Sequence, residues 1–140
     1  LLLNRPLHKN QHAYQSGKSC ETALHHLVSR IEHSLKHQEI ALGAFLDIEG
    51  AFDNVSFESI ILAAKRHGMN DTCCRWIETV LKERQIQTNM FNKTMQVSTR
   101  KGCPQGGVLS PVLWNLVVDN LLVNLNNLGK ICQYSFRVNG

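Results

Sequence analysis

Two carboxylates and a glycine-rich loop hold most of the chemistry this sequence could perform. In "AFLDIEGAFDNV", residues 44–55, the apolar run Ala44-Phe45-Leu46 stops at Asp47, and Asp53 follows six positions later with Gly50, Ala51 and Phe52 between. A carboxylate at the end of a buried strand reaches the sheet edge where ligands bind. Its hard oxygens suit magnesium, whose sites take one or two carboxylates and complete the shell with water and substrate phosphates. The same residue could cap a helix or sit in a buried ion pair, and the spacing leaves these readings level. Asp53 lies just before Ser56 and has the plainer role of helping to cap the helix that follows.

The second feature is "GCPQGG", residues 102–107. Three glycines let a main chain come close to a ligand, Pro104 stiffens the turn, and Gln105 offers an amide donor and acceptor at its apex. Before a capped helix, such a loop suits contact with a phosphate or a base. Glycine and proline in a turn also need no ligand at all.

Two other patterns lead away from catalysis. "SGKS", 16–19, resembles the end of a phosphate-binding loop, but the glycine that should stand five residues before Gly17 is His12 and no strand precedes it. Lys18 then reads as a surface cation or a contact to nucleic-acid backbone. The pairs His8/His12 and His33/His37 are each four apart, yet no third ligand completes a zinc set, so a solvated face is the better reading.

The 140 residues suffice for one domain with a core, and the 43% hydrophobic and 19% charged content is that of a globular protein. The net charge of +4 mildly favours an anionic partner without specifying nucleic acid. Five cysteines, at 20, 73, 74, 103 and 132, form no C-x-x-C pair and point to a reducing, intracellular setting. No apolar run reaches membrane-spanning length, so no membrane partner is expected. The opening residues lack the basic leader of a signal peptide, and without an initiator Met the chain reads as a piece of a longer protein.

The elements that must position these residues follow from periodicity. Residues 1–18 read as irregular. Ser19 caps a helix striped by Leu24, Leu27, Val28, Ile31 and Leu35. "IALGAFLDI", 40–48, reads as a short buried strand, weakened by its alanines. Ser56 caps a helix with Phe57, Ile60, Ile61 and Ala64 inward, and Gly68 stops it. Asn70 or Asp71 opens another, striped by Cys73, Trp76, Ile77, Val80 and Leu81. "IQTNM" and "TMQVST" flank "FNK" as a hairpin, and Ser110-Pro111 begins a helix to about Asn126 whose first half should be deeply buried. The order, helix–strand–helix–helix–hairpin–loop–helix, indicates an α+β fold.

"AFLDIEGAFDNV" and "GCPQGGVLSPVLWNLVVDNLL", in this order and about fifty residues apart, resemble the two central palm motifs of reverse transcriptases. The "LDIEGAFD" form, with "QHAYQSGKSCETALH" upstream, is similar to the polymerase of non-LTR retrotransposons, and the likeness extends over about residues 10–130. It implies part of the palm and fingers of a right-hand polymerase, helices packed on a small antiparallel sheet. Residues 1–140 would be a single partial domain, a fingers remnant over about 1–40 and palm over about 40–140. By the same resemblance Asp47 is the catalytic aspartate that binds both magnesium ions, and the backbone carbonyl of Ile48 helps hold one. Phe52 is the aromatic gate under the sugar, whose plainer role is core packing. Gln105 and Gly106 lie beside the incoming nucleotide and template, while Asp53 is not a metal ligand. Lys18 and Lys101 are candidate nucleic-acid contacts. The implied partners are an RNA template, a DNA primer and deoxynucleoside triphosphates, with further domains of a parent polyprotein. Asp47, Phe52 and the 102–107 loop are then expected to share a cleft.

The sequence departs from that pattern in two places. It opens after the point where the first fingers motif should lie. The family's next palm motif, Tyr-Ala-Asp-Asp, should follow "LNNLG", but "KICQYSFRVNG" stands there, with Ser135, Phe136 and Arg137 after Tyr134. Either the coding sequence is damaged at that point or the fragment stops short. Three readings follow: a fragment of an RNA-directed DNA polymerase using two magnesium ions, a decayed copy retaining at most nucleic-acid binding, or an unrelated magnesium hydrolase built on Asp47.

Overall fold

The computed structural model describes residues 5–91 and 93–126. Among the described residues, four helices and one two-stranded antiparallel sheet make the fold α+β. The region 127–140, with Tyr134 to Arg137, lies outside the described residues.

Local chemistry starts and stops the helices as their sequences predict. Helix α1, Cys20–Lys36, opens with a capping box: the Ser19 hydroxyl accepts from the Thr22 amide at 3.2 Å, and the Thr22 hydroxyl accepts from the Ser19 amide at 2.9 Å. Helix α2, Phe57–Arg66, is capped by Ser56, which accepts from the Ser59 amide at 3.1 Å; Asp53 takes no part in that bond. The chain leaves α2 at Gly68, whose φ of +79° favours glycine. The Asn70 side chain caps α3, Asp71–Lys82, accepting from the Cys73 amide at 2.8 Å. Strands β1, Gln85–Met90, and β2, Lys93–Ser98, pair from Gln85↔Ser98 to Met90↔Lys93, so Lys93 belongs to the strand and not to an "FNK" connection. Helix α4, Ser110–Asn126, includes Ser110, whose hydroxyl donates back to the Pro104 carbonyl at 2.6 Å.

The described chain forms two compact units. One comprises residues 49–117 with 5 and 6; the other comprises 7–48 with 118–126. In the first, α2 packs on α3, and Val55, Phe57, Ile60, Ile77, Leu81, Cys103 and Leu113 form the core. Ile60 is fully buried at its centre. In the second, Gln11, His12 and Ala23 are buried; the His12 ring meets the Thr22 hydroxyl at 2.9 Å, and the His8 amide donates to the Asp119 carboxylate.

Four expectations are corrected. Residues 40–48 form no strand: Ile40 and Leu42 are 95% and 97% exposed, and no described strand pairs with them. An extended segment becomes a strand only through a ladder partner, and Ala41, Gly43 and Ala44 add little preference of their own. The α1 stripe is amphipathic, but Leu24, Val28, Ile31 and Leu35 are exposed because no described element covers them. In α3 the buried residues are Cys74, Ile77 and Leu81, while Cys73, Trp76 and Val80 are exposed; the apolar arc is wider than α2 can cover. Finally, the helices do not pack on the sheet, since every described strand residue is exposed on both faces. The first half of α4 is buried in part, at Leu113, Asn115 and Leu116, with Val112 exposed.

Removing the centre of the first core should cost more than trimming the α1 stripe. Ile60→Ala should lower the unfolding free energy by about 2–5 kcal/mol, whereas Leu24→Ala, at an exposed position, should stay within about 0.5 kcal/mol. Urea midpoints of the two variants measure the difference.

Candidate functional site

The turn that carries Phe52 and the loop that carries Gln105 are fastened to each other. The Gly102 amide donates to the Val55 carbonyl and the Cys103 amide to the Phe52 carbonyl, each at 2.7 Å. The Lys101 ammonium donates to the Asn54 side-chain oxygen at 2.7 Å. The turn is closed on itself by the Asn54 amide on the Gly50 carbonyl at 2.7 Å and by the Asn54 side chain on the Glu49 carbonyl at 3.2 Å. Neither segment is helix or strand, so each meets its main-chain demand on the other.

This contact requires glycine at one place. Gly102 has φ +87°, and a Cβ there would lie 2.8 Å from the Asp53 carbonyl oxygen and 3.0 Å from that of Phe52. The close approach is thus to the protein's own main chain, not to a ligand. Gly106 differs: its φ is +82° and a Cβ would meet nothing within 4 Å. The Gly107 amide donates to the Pro104 carbonyl at 3.0 Å, which places exposed Gln105 and Gly106 at the centre of a β-turn, with the positive φ at its third position that marks type II.

Phe52 is half-buried, packed against the core with its ring centroid 5.9 Å from that of Trp114. Cys103 is buried beneath the loop, and burial pushes its thiol pKa up, partly offset by the Arg84 guanidinium. Asp53 is exposed.

Asp47 and Ile48 belong to the other unit. Asp47 is exposed, and one carboxylate oxygen accepts from the Ile48 amide at 2.9 Å. Carboxylate and carbonyl oxygens are the donor types that magnesium takes. Among the described residues, however, no three His, Cys, Asp or Glu side chains are grouped to hold a metal ion. Lys18 lies in this unit too: its ammonium donates to the carbonyls of Lys9 and Gln11 at 2.7 and 2.8 Å, and burial lowers its pKa. The neighbouring His12 is also lowered, first by burial and then by Lys18 and His26. No described helix is long and apolar enough to cross a membrane.

Comparison with known proteins decides what these linked segments are part of. Residues 2–135 match the family model described as reverse transcriptase (RNA-dependent DNA polymerase). The chain belongs to the reverse transcriptase family. It is 33% identical over 69% of its length to a Pol polyprotein of the type-1 retrotransposable element R2 of Popillia japonica. It is 29% identical over 82% of its length to a Pol polyprotein of the element R1 of Bradysia coprophila. It is 26% identical over 85% of its length to the RNA-directed DNA polymerase from the mobile element jockey of Drosophila melanogaster. The chain spans 17%, 11% and 13% of these relatives' own lengths.

In this reverse transcriptase segment, sequence reasoning missed the residues that join the two motifs. Asn54 bridges Glu49 and Lys101, and Arg84 donates to the Lys101 and Gly102 carbonyls at 3.3 and 3.4 Å. Trp114 flanks Phe52. Neither Asn54 nor Arg84 lies in an apolar pattern, so periodicity carries no signal for them; the one available hint was Gly102 at the start of a glycine-rich loop.

Glycine substitution separates the two kinds of loop position. Gly102→Ala should destabilise the fold by about 2–5 kcal/mol, combining left-handed backbone strain with a clash. Gly106→Ala carries the strain without the clash and should cost about 1–2 kcal/mol. Thermal and urea unfolding of both variants would measure the gap, and equal losses would mean that the loop moves to relieve the Gly102 contact.

Proposed function

We propose that the chain is a segment of an RNA-directed DNA polymerase of a non-LTR retrotransposon, carried within a longer polyprotein. The observation that carries this reading is the fastening of the Phe52 turn to the Gln105–Gly106 loop in a chain matched to the reverse transcriptase family over residues 2–135. The substrates are an RNA template, a DNA primer and deoxynucleoside triphosphates. Residues of about 1–40 would be a fingers remnant and about 40–140 palm, a single partial domain.

Each residue then has a role its chemistry suits. The Asp47 carboxylate and the Ile48 carbonyl would hold magnesium, which when bound activates the primer 3′-oxygen and neutralises the leaving pyrophosphate. The Phe52 ring would lie under the sugar and exclude a 2′-hydroxyl; its packing on the core and near Trp114 supports a ring fixed in place. Gln105 and Gly106 present an amide and open main chain to a nucleotide and template. Lys18 and Lys101 are the candidate contacts to nucleic-acid backbone; the Lys18 ammonium also donates to two carbonyls and the Lys101 ammonium to the Asn54 side chain. Such contacts position a duplex without reading its sequence, as a copying enzyme requires.

A second reading, a catalytically dead copy, is favoured by one observation. Ser135, Phe136 and Arg137 follow Tyr134 where the family pattern has its paired aspartates. A phenyl ring has no ligand atom and a guanidinium repels a cation, so Asp47 would lack its partners.

Primer extension on a primed RNA template distinguishes these readings. In the longer protein, Asp47→Asn should reduce extension on the order of a thousandfold or more, as removal of one member of a catalytic unit does. The 140-residue chain alone should not extend the primer. Extension that survives Asp47→Asn would overturn the metal assignment.

The Phe52 role has its own readout. Phe52→Val in an active longer protein should raise ribonucleotide relative to deoxyribonucleotide incorporation, while an unchanged ratio would leave Phe52 as a core residue alone.

A further inference from the structure

The 85–98 hairpin has two unlike faces and no described element covers either of them. Register places Gln85, Gln87 and Asn89 of β1 on one face with Thr94, Gln96 and Ser98 of β2. Every one of these is an uncharged amide or hydroxyl. They bond to one another across the strands: the Thr94 hydroxyl donates to Asn89 at 2.9 Å, and the Gln96 amide donates to Gln85. The opposite face carries Ile86, Thr88 and Met90 with Lys93, Met95 and Val97.

The charge around this hairpin has one sign. From Arg84 to Lys101 the chain holds Arg84, Lys93, Arg100 and Lys101 and no Asp or Glu. The chain as a whole has 15 Lys and Arg against 11 Asp and Glu, so this stretch departs from its background. At the tip, Phe91 is 93% exposed with φ +47°, a left-handed conformation that an aromatic residue adopts at a cost.

The base of the hairpin is tied to the candidate site. Arg84 bonds the Thr99 hydroxyl at 3.2 Å and the carbonyls of Lys101 and Gly102, and the Thr99 amide donates to the Arg84 carbonyl at 3.3 Å. Whatever the hairpin grips is therefore held in register with the Gly102–Gly107 loop.

We infer that this hairpin is a nucleic-acid contact surface: its amide–hydroxyl face lies along the sugar–phosphate backbone of the template–primer, and Phe91 stacks on a base at its end. Uncharged amides and hydroxyls are the groups that contact sugar and phosphate without reading sequence. The cations at its base, Arg84, Arg100 and Lys101, supply the electrostatic part of affinity, Lys93 standing on the other face. An exposed ring supplies sequence-tolerant stacking. The inference rests on the proposed polymerase function for the identity of the polyanion, but its readout is binding and needs no catalysis.

The test places the same two charges on opposite faces. Gln87 and Gln96 are direct cross-strand partners on the polar face, and Thr88 and Met95 are direct partners on the other. Both double substitutions to Glu put like charges opposite each other, so they stress the hairpin alike. The purified 140-residue chain is titrated against a fluorescent RNA–DNA primer–template with a single-stranded overhang, followed by anisotropy, with helical circular dichroism as the check that the core is intact. Gln87→Glu/Gln96→Glu should weaken binding by about tenfold or more and Thr88→Glu/Met95→Glu by about twofold or less. Phe91→Ala should weaken binding by about tenfold. Equal loss from both double variants, no loss from the polar-face pair, or no binding by the folded chain would each overturn the inference. Loss of extension on Asp47→Asn with binding intact concerns the polymerase reading alone.

Discussion

Two hydrogen bonds of 2.7 Å, from the Gly102 and Cys103 amides to the Val55 and Phe52 carbonyls, fix where nearly everything in the first unit can go. They join segments about fifty residues apart in sequence, and they demand a residue without a Cβ at 102. Once they form, Cys103 is drawn into the core beside Leu81 and Leu113, and Phe52 is brought near Trp114 at the start of α4. Arg84, just after α3, donates to the Lys101 and Gly102 carbonyls of the same loop and so ties the base of the hairpin to the junction. Loss of this junction would release both segments at once, because neither has secondary structure of its own there to fall back on.

The junction also explains how irregular chain can be held firmly. Main-chain groups that leave water without a partner cost free energy comparable to a lost hydrogen bond. Helices and strands meet that demand internally; the 49–55 turn and the 101–107 loop meet it by pairing. The apolar part of the cost is offset next door, where Ile60, Ile77 and Leu81 are removed from water. A rigid loop end of this kind leaves Gln105 and Gly106 exposed on a fixed base, which is the condition for a loop to position a ligand.

Much of this was legible in the residues themselves. Ser19, Ser56 and Asn70 announce their helices because a cap is a local bond, complete within four residues. The hairpin was legible for the same reason, its partner lying a few positions away. The family resemblance was legible because two long motifs occur in order, and the match over residues 2–135 agrees with it. What failed were inferences about burial. Leu24, Val28, Ile31 and Leu35 form a proper stripe, and Ile40 to Ile48 a proper apolar run, yet these residues are exposed. Amphipathic pattern states which side seeks cover and not what supplies it. In α3 the pattern was right about the helix and about Ile77 and Leu81, which are buried, but Cys74 is buried in place of Cys73, and Trp76 and Val80 stay outside.

The same distinction bears on the candidate metal ligands. Asp47 sits in a segment whose apolar residues are exposed, and one of its oxygens is turned to the adjacent Ile48 amide. Magnesium sheds water reluctantly and demands near-octahedral oxygen geometry. One exposed carboxylate and one carbonyl cannot compete with bulk water for it. In the proposed polymerase, cation binding at Asp47 would therefore depend on oxygens brought by substrate phosphates and by further carboxylates. The Gly102 junction, which needs no such help, is already complete. In that proposal the Gln105–Gly106 loop would rest on main-chain pairing between segments about fifty residues apart, whereas Asp47 would still need oxygens from outside its own segment.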